Sequence, residues 1–207
     1  MKRSLPWGWL ILLAAVVVAL ICAFWIDDTL LEFIKHHRNR ATWVAMRRTS
    51  RWGDWPAHFA AGIVLLVGAW LRGSNRWARV FLCMLLACAL AGVSTRIIKV
   101  AVGRARPAMA AKEEWRGPTF YSRSQAFPSG HTASSVAFFA VLFFANRRLA
   151  LICLPIPLVI ATSRVYTGQH YLSDIIAAAL LGVLCAYLVK RTALFPKIDN
   201  RQSKIEN

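Results

Sequence analysis

Three short clusters bring together cations, histidines and one carboxylate. They are Lys99-Val-Ala-Val-Gly-Arg-Ala-Arg106-Pro107, then Pro128-Ser129-Gly130-His131, then Ser163-Arg164-Val-Tyr-Thr-Gly-Gln-His170-Tyr-Leu-Ser-Asp174. Arginine presents a planar fork suited to phosphate oxygens, and lysine a point charge. Lys99, Arg106 and Arg164 would therefore converge on one anionic group if the segments carrying them bundle. Ser129 suits a helix N-cap, and Gly130 leaves the backbone N–H groups of that helix start open to an anion. His170 and Asp174 are four apart, so on a helix they share a face. The carboxylate can then hold one imidazole nitrogen and fix the tautomer, which frees the other nitrogen to attack.

Blander roles exist for the same residues. Arg104 and Arg106 could anchor lipid headgroups, and Asp174 could merely cap the following helix. His36, His37 and His58 read as interfacial residues. Two histidines and an aspartate could hold a divalent ion, but three cationic side chains would crowd it. Cys22, Cys83, Cys88, Cys153 and Cys185 each lie in an apolar stretch, are odd in number and show no CxxC spacing. Neither a disulfide framework nor a zinc site is supported.

The elements that must position these residues are apolar. Of 207 residues, 57% are apolar and 17% charged, yet the formal charge is +17; mean hydropathy is +0.47. A disordered basic tail is excluded by the apolar content, and a soluble nucleic-acid binder by the scarcity of polar surface. No residue from Ser4 to Ile26 is charged, which is enough to span a hydrocarbon core of roughly 30 Å. With no small-x-small site after Phe24-Trp25-Ile26, this stretch reads as a retained first span rather than a signal peptide. The expectation is an all-α integral membrane bundle of about six transmembrane helices, forming one domain over 1–207. The spans are placed at about 7–26, 55–71, 77–98, 130–147, 149–167 and 171–190. Asp27 to Asp54, mixing apolar residues with Arg38, Arg40, Arg47, Arg48 and Arg51, reads as an amphipathic outer-surface segment. Trp7, Trp25, Trp55, Trp70 and Trp77 fall at stretch ends, as in an interfacial belt.

Basic residues in the short loops fix orientation. Lys2 and Arg3, then Arg72, Arg76 and Arg79, then Arg147 and Arg148, then Lys190, Arg191, Lys197, Arg201 and Lys204 place both termini in the cytoplasm. Lys99, Arg104, Arg106, Lys112, Arg116, Arg123 and Arg164 then lie on the opposite side, against the rule, and call for an anionic ligand there. The polar loop from Ala108 to Phe127, with Glu113 and Glu114, joins the first two clusters.

Taken jointly, the clusters resemble the signature of the type 2 phosphatidic acid phosphatase (PAP2) superfamily: K-x6-RP, PSGH and SR-x5-H-x3-D. The match covers Lys99, Arg106, Pro107, Pro128, Ser129, Gly130, His131, Ser163, Arg164, His170 and Asp174. The resemblance implies His170 as nucleophile, forming a phosphohistidine, with Asp174 orienting it. His131 would protonate the leaving oxygen. Lys99, Arg106, Ser129, Gly130 and Arg164 would bind the phosphoryl oxygens, with no metal and no cofactor. The implied partners are the bilayer and a membrane lipid phosphate, with no nucleic acid and no obligate protein partner. The implied activity is hydrolysis of a lipid phosphate monoester or diphosphate at the extracytoplasmic face of a bacterial inner membrane. Substrates of that kind are undecaprenyl diphosphate, phosphatidylglycerophosphate, phosphatidic acid or lipid A 1-phosphate. The rival readings are a lipid phosphotransferase and a noncatalytic lipid-phosphate binder or transporter.

Overall fold

The computed structural model describes residues 7–107 and 115–196. Lys2, Arg3, Lys112, Glu113, Glu114, Lys197, Arg201 and Lys204, on which part of the orientation and loop reading rests, lie outside the described residues. Eight α-helices follow in order among the described residues: α1 (Trp7–His37), α2 (Arg40–Trp52), α3 (Trp55–Leu71), α4 (Asn75–Val102), α5 (Gly130–Ala145), α6 (Arg147–Cys153), α7 (Pro155–Tyr166) and α8 (Leu172–Lys190). The fold is the all-α bundle the sequence predicts.

Local chemistry sets the boundaries. Asn39 starts α2, its Oδ1 accepting from Thr42 N at 2.8 Å. Asp54 starts α3 by accepting from Trp55 N at 2.9 Å, with Pro56 in the first turn, where its missing N–H costs nothing. Asn146 ends α5 and caps α6 through Leu149 N at 3.1 Å. Gly103 ends α4 at φ 65°. A Cβ there would also stand 2.0 Å from Gly117 O, so only glycine fits where the outer loop crosses the helix end.

α4, α5 and α8 form the core. Cys83, Met84, Cys88 and Ala91 on α4 meet Ala133, Ala137, Phe138 and Val141 on α5 and Ala178, Cys185 and Ala186 on α8. α3 flanks α4, α1 flanks α8, and α7 packs with α5 and α2. α5 and α8 approach so closely that a Cβ at Gly182 would lie 2.7 Å from Ala133 O and 2.9 Å from Ala137 N. Small residues permit this contact, which in lipid must be held by packing rather than by a solvent-driven hydrophobic effect. Gly182→Val should therefore cost about 1–3 kcal/mol, the usual scale of overpacking. Thermal unfolding in detergent reads this directly, and an unchanged midpoint would show that the helices are not so close.

Of the six expected spans, four or five pass by length and composition among the described residues, and α5 is apolar but shorter. Four stretches are long and apolar enough to cross a bilayer: Leu10–His37, Asn75–Val102, Arg147–Tyr166 and Leu172–Lys190. α2 and α3 pass only when taken together, as a pair bent by 54°. α5 has 16 residues between Ser129 and Asn146, about 24 Å of helix. The segment from 27 to 54 divides. Its first part is the continuation of α1, which runs unbroken to His37. Only α2 is a separate amphipathic helix, and one of its faces packs on α7.

Exposed tryptophans form two tiers. Trp25 and Trp55 stand near the end carrying the three clusters, and Trp7 and Trp70 near the other. Along α1 the tiers are about 27 Å apart and along α3 about 22 Å, close to a hydrocarbon thickness. The last turns of α1 extend beyond the upper tier.

Candidate active site

Four helix ends meet at one end of the bundle. The C-terminus of α4 brings Lys99, the N-terminus of α5 brings Ser129, Gly130 and His131, the C-terminus of α7 brings Arg164, and the turn into α8 brings His170 and Asp174. The outer loop folds back over α4 and fixes Arg106, through Ala126 N to Arg104 O at 2.8 Å and Arg106 N to Arg123 O at 3.2 Å.

Each cation is held by neutral oxygens. Lys99 Nζ donates to Gln125 O at 2.6 Å and Ala126 O at 3.2 Å. Arg106 donates to Gln169 Oε1 at 2.6 Å, and Arg164 to Ser50 Oγ at 2.5 Å. The buried Nε of Arg106 and of Arg164 have no hydrogen-bond partner among the described residues. Buried donors of this kind carry a desolvation cost unless something accepts from them. An anion bound among Lys99, Arg106 and Arg164 would satisfy both.

Ser129 occupies the N-cap position but makes no side-chain cap bond. Its hydroxyl accepts instead from Thr132 Oγ1 at 3.1 Å. The first N–H groups of α5 are thus left for a ligand, at the positive end of the helix dipole. A Cβ at Gly130 would lie 3.8 Å from Lys99 Cε, so the helix start and the lysine share one space.

His170 is buried, and its Nδ1 faces Asp174 Oδ2 at 3.4 Å. Burial first, then the charges of Lys99, Arg164, Arg106 and His131, push its imidazole well below the ordinary value. This shift favours the neutral ring, and Nδ1–H donation to Asp174 would leave the lone pair on Nε2. Asp174 also accepts from Tyr171 N at 2.9 Å, closing a capping box at the start of α8. The capping role and the histidine-orienting geometry therefore coexist in one carboxylate. His131, less buried, has Nδ1 3.7 Å from Asp54 Oδ1.

The most deeply buried cation here is Arg104, 1% exposed. Its Nη1 donates to Asp174 Oδ1 at 2.8 Å and Ser173 Oγ at 2.6 Å, and its Nη2 to Asp27 Oδ2 at 3.0 Å. Asp27 in turn accepts from Ser173 N at 3.0 Å and from Ser173 Oγ at 2.5 Å. The guanidinium is also stacked 4.1 Å from the centre of the Tyr171 ring. Arg104 is thus no headgroup anchor: it sits between two carboxylates and ties Asp27 to Asp174. The signal for Asp27 was present in the sequence: it is the first charge after a long uncharged span, and charges at such depth are paired.

A cleft of about 810 Å³ opens from the site, with His131, Arg164 and Gln169 at one end and residues of α2 along its wall.

The PAP2 superfamily model matches residues 80–196, more than half of the chain and the whole of the three-part motif. A lipid A 1-phosphatase from Rhizobium johnstonii is 35% identical over 119 residues, covering 52% of this chain and 47% of that protein. Phosphatidylglycerophosphatase B from Bacillus subtilis is 28% identical over 120 residues, covering 53% and 56%. The chain thus spans about half the length of these curated relatives. In fold it is similar to the crystal structure of the transmembrane PAP2 type phosphatidylglycerolphosphate phosphatase from Bacillus subtilis, with TM-score 0.66 and 19% identity over 86% of this chain and 93% of that one. LpxE from Aquifex aeolicus gives TM-score 0.64 and 21% identity over 81% and 96%. With the family model aligned across its core helices and the motif residues gathered at one end of that core, this chain belongs to the PAP2 superfamily.

Proposed function

We propose that this chain hydrolyses a phosphate monoester or diphosphate on a membrane lipid through a phosphohistidine on His170. The observation that carries the reading is the buried His170, facing Asp174 beside cations whose buried Nε donors lack a partner among the described residues. His170 Nε2 attacks phosphorus as the bond to the leaving oxygen breaks, and His131 delivers a proton to that oxygen. Water then attacks the phosphohistidine, its proton passing to His131, and the P–N bond breaks to release phosphate. Lys99, Arg106 and Arg164, with the Ser129 hydroxyl and the N–H of Gly130, neutralise charge spread over the equatorial oxygens. The relatives named for lipid A 1-phosphate and phosphatidylglycerophosphate support lipid phosphates as the substrate class.

The test is phosphate release from a panel of purified lipid phosphates in detergent. Release should survive excess EDTA, since protein cations carry the charge, and vanadate should inhibit as a mimic of the pentavalent transition state. Loss on chelation with recovery on adding Mg²⁺ or Zn²⁺ would sink the cation assignment. Transfer of phosphate to a second lipid, without free phosphate, would make the chain a phosphotransferase.

We place the site on the extracytoplasmic face of a bacterial inner membrane. The end of the bundle opposite the site carries Arg72, Arg76, Arg79, Arg147, Arg148, Lys190 and Arg191 with no acid among the described residues, the bias that retains a segment in the cytoplasm. A cysteine introduced at exposed Ser122 should react with a membrane-impermeant thiol reagent on intact cells, above the background of the parent. One at Asn75 should not. The reverse pattern would invert the orientation.

A further inference from the structure

The catalytic cleft holds more positive charge than one phosphoryl group can use. Arg40, Arg47 and Arg51 of α2 all line it. Seven and eleven residues are close to whole turns of a 3.6-residue helix, so these three form one stripe about 16 Å long on a single face. None of the three has an acidic partner among the described residues, and the one carboxylate lining the cleft, Asp54, faces His131. Arg47 lies over the Trp43 ring at 5.0 Å, which limits its freedom before any ligand arrives.

The stripe is rigidly joined to the reaction centre. Ser50, one residue before Arg51, accepts from Arg164. Thr42 is hydrogen-bonded to the Tyr166 hydroxyl, and Gly53 abuts Ile160 so closely that a Cβ would lie 2.6 Å from its Cγ2. α2 is therefore anchored along α7, and its arginines face the space that leads to His131. A general attraction to the membrane would place such charge on the outside of the bundle, not along this wall.

We propose that the α2 arginine stripe is a second anion subsite, and that the preferred substrate is a lipid carrying at least one phosphate or carboxylate beyond the group being cleaved. This rests on the hydrolase reading above and narrows its substrate class. Guanidinium forks match either anion bidentately. The scissile phosphate is engaged by Lys99, Arg106 and Arg164, and the second group by Arg47 and Arg51.

The test compares two short-chain glycerolipids in neutral detergent: one with a single phosphate monoester, the other with the same monoester and an additional phosphodiester. In the Arg47→Gln/Arg51→Gln protein, KM for the second substrate should rise roughly tenfold to a hundredfold, the scale of one or two charge-assisted contacts, with kcat little changed. The first substrate should be unaffected, and Arg48→Gln, outside this cleft, should match the parent on both. Equal loss on both substrates, or loss on neither, overturns the subsite. A loss on the monoester that appears only when anionic phospholipid is added to the micelles also overturns it, because the stripe then reads the surrounding lipid. Binding of the same two lipids to His170→Ala protein, measured by calorimetry, separates this proposal from the hydrolase reading. Tighter binding of the doubly anionic lipid, lost with the α2 substitutions, supports the subsite even if no substrate turns over. Equal binding of both lipids overturns it.

Discussion

His170→Ala should show no turnover with any substrate, and no label on the protein when ³²P-labelled substrate is mixed briefly and quenched at alkaline pH. In the proposed mechanism His170 alone accepts the phosphoryl from a donor held among Lys99, Arg106 and Arg164. His131→Ala should behave differently, since it removes a proton donor rather than the acceptor. With a lipid alkoxide as leaving group the rate should fall roughly 10²–10⁴-fold, the usual range for general acid catalysis. With a diphosphate or an activated aryl phosphate, whose leaving oxygen needs little protonation, the loss should be much smaller, and acid-labile label can still form. Asp174→Asn should slow every substrate, by loosening the tautomer and by removing the charge that supports the phosphorylated imidazole. Label persisting in the His170 variant would assign the nucleophile elsewhere.

The second large effect is expected at Arg104, which touches no reacting atom and acts by positioning. Arg104→Ala leaves Asp27 and Asp174 buried without their shared cation. Breaking a buried pair in this way typically costs about 3–5 kcal/mol, so the protein should melt far earlier in detergent or fail to accumulate. Asp27→Asn is the informative milder change: it keeps the Arg104–Asp174 pair but removes one negative charge from the group. A structural role alone would lower the melting point and leave the catalytic constants of the surviving protein intact. Positioning predicts in addition a lower kcat with an unchanged KM, because the ground-state contacts of the substrate remain. A melting midpoint for Arg104→Ala within about 2 °C of the parent would remove the network from the account, given that 1 kcal/mol shifts a chain of this size by roughly that much or more.

Much of the site is legible in the sequence because its parts are local. Ser129-Gly130-His131 opens a helix and His170 faces Asp174 one turn on, so spacing alone fixes those relations. Arg104 was legible as a cation at a span end but not in its role, since its partners are 77 and 70 positions away. Only the packing of α1 on α8 brings Asp27 to it. Likewise, α2 was recognisable as amphipathic from its spaced arginines. Its destination, the flank of α7, depends on tertiary contacts at Ser50 and Gly53 that no periodicity reports. The end of the first span was read too early, because α1 continues through Asp27, Asp28 and Glu32, where hydropathy alone would stop a helix.

Asp27 also bears on the order in which the bundle assembles. It enters with the first helix, whereas Ser173 and Asp174 arrive with the last, and the arginine between them comes midway along the chain. Until α8 docks, Asp174 lacks the Arg104 guanidinium and Asp27 lacks its bonds from Ser173. A piece limited to residues 80–196 would carry every motif residue together with Arg104 and Asp174, but not Asp27, the second carboxylate that holds the guanidinium in place.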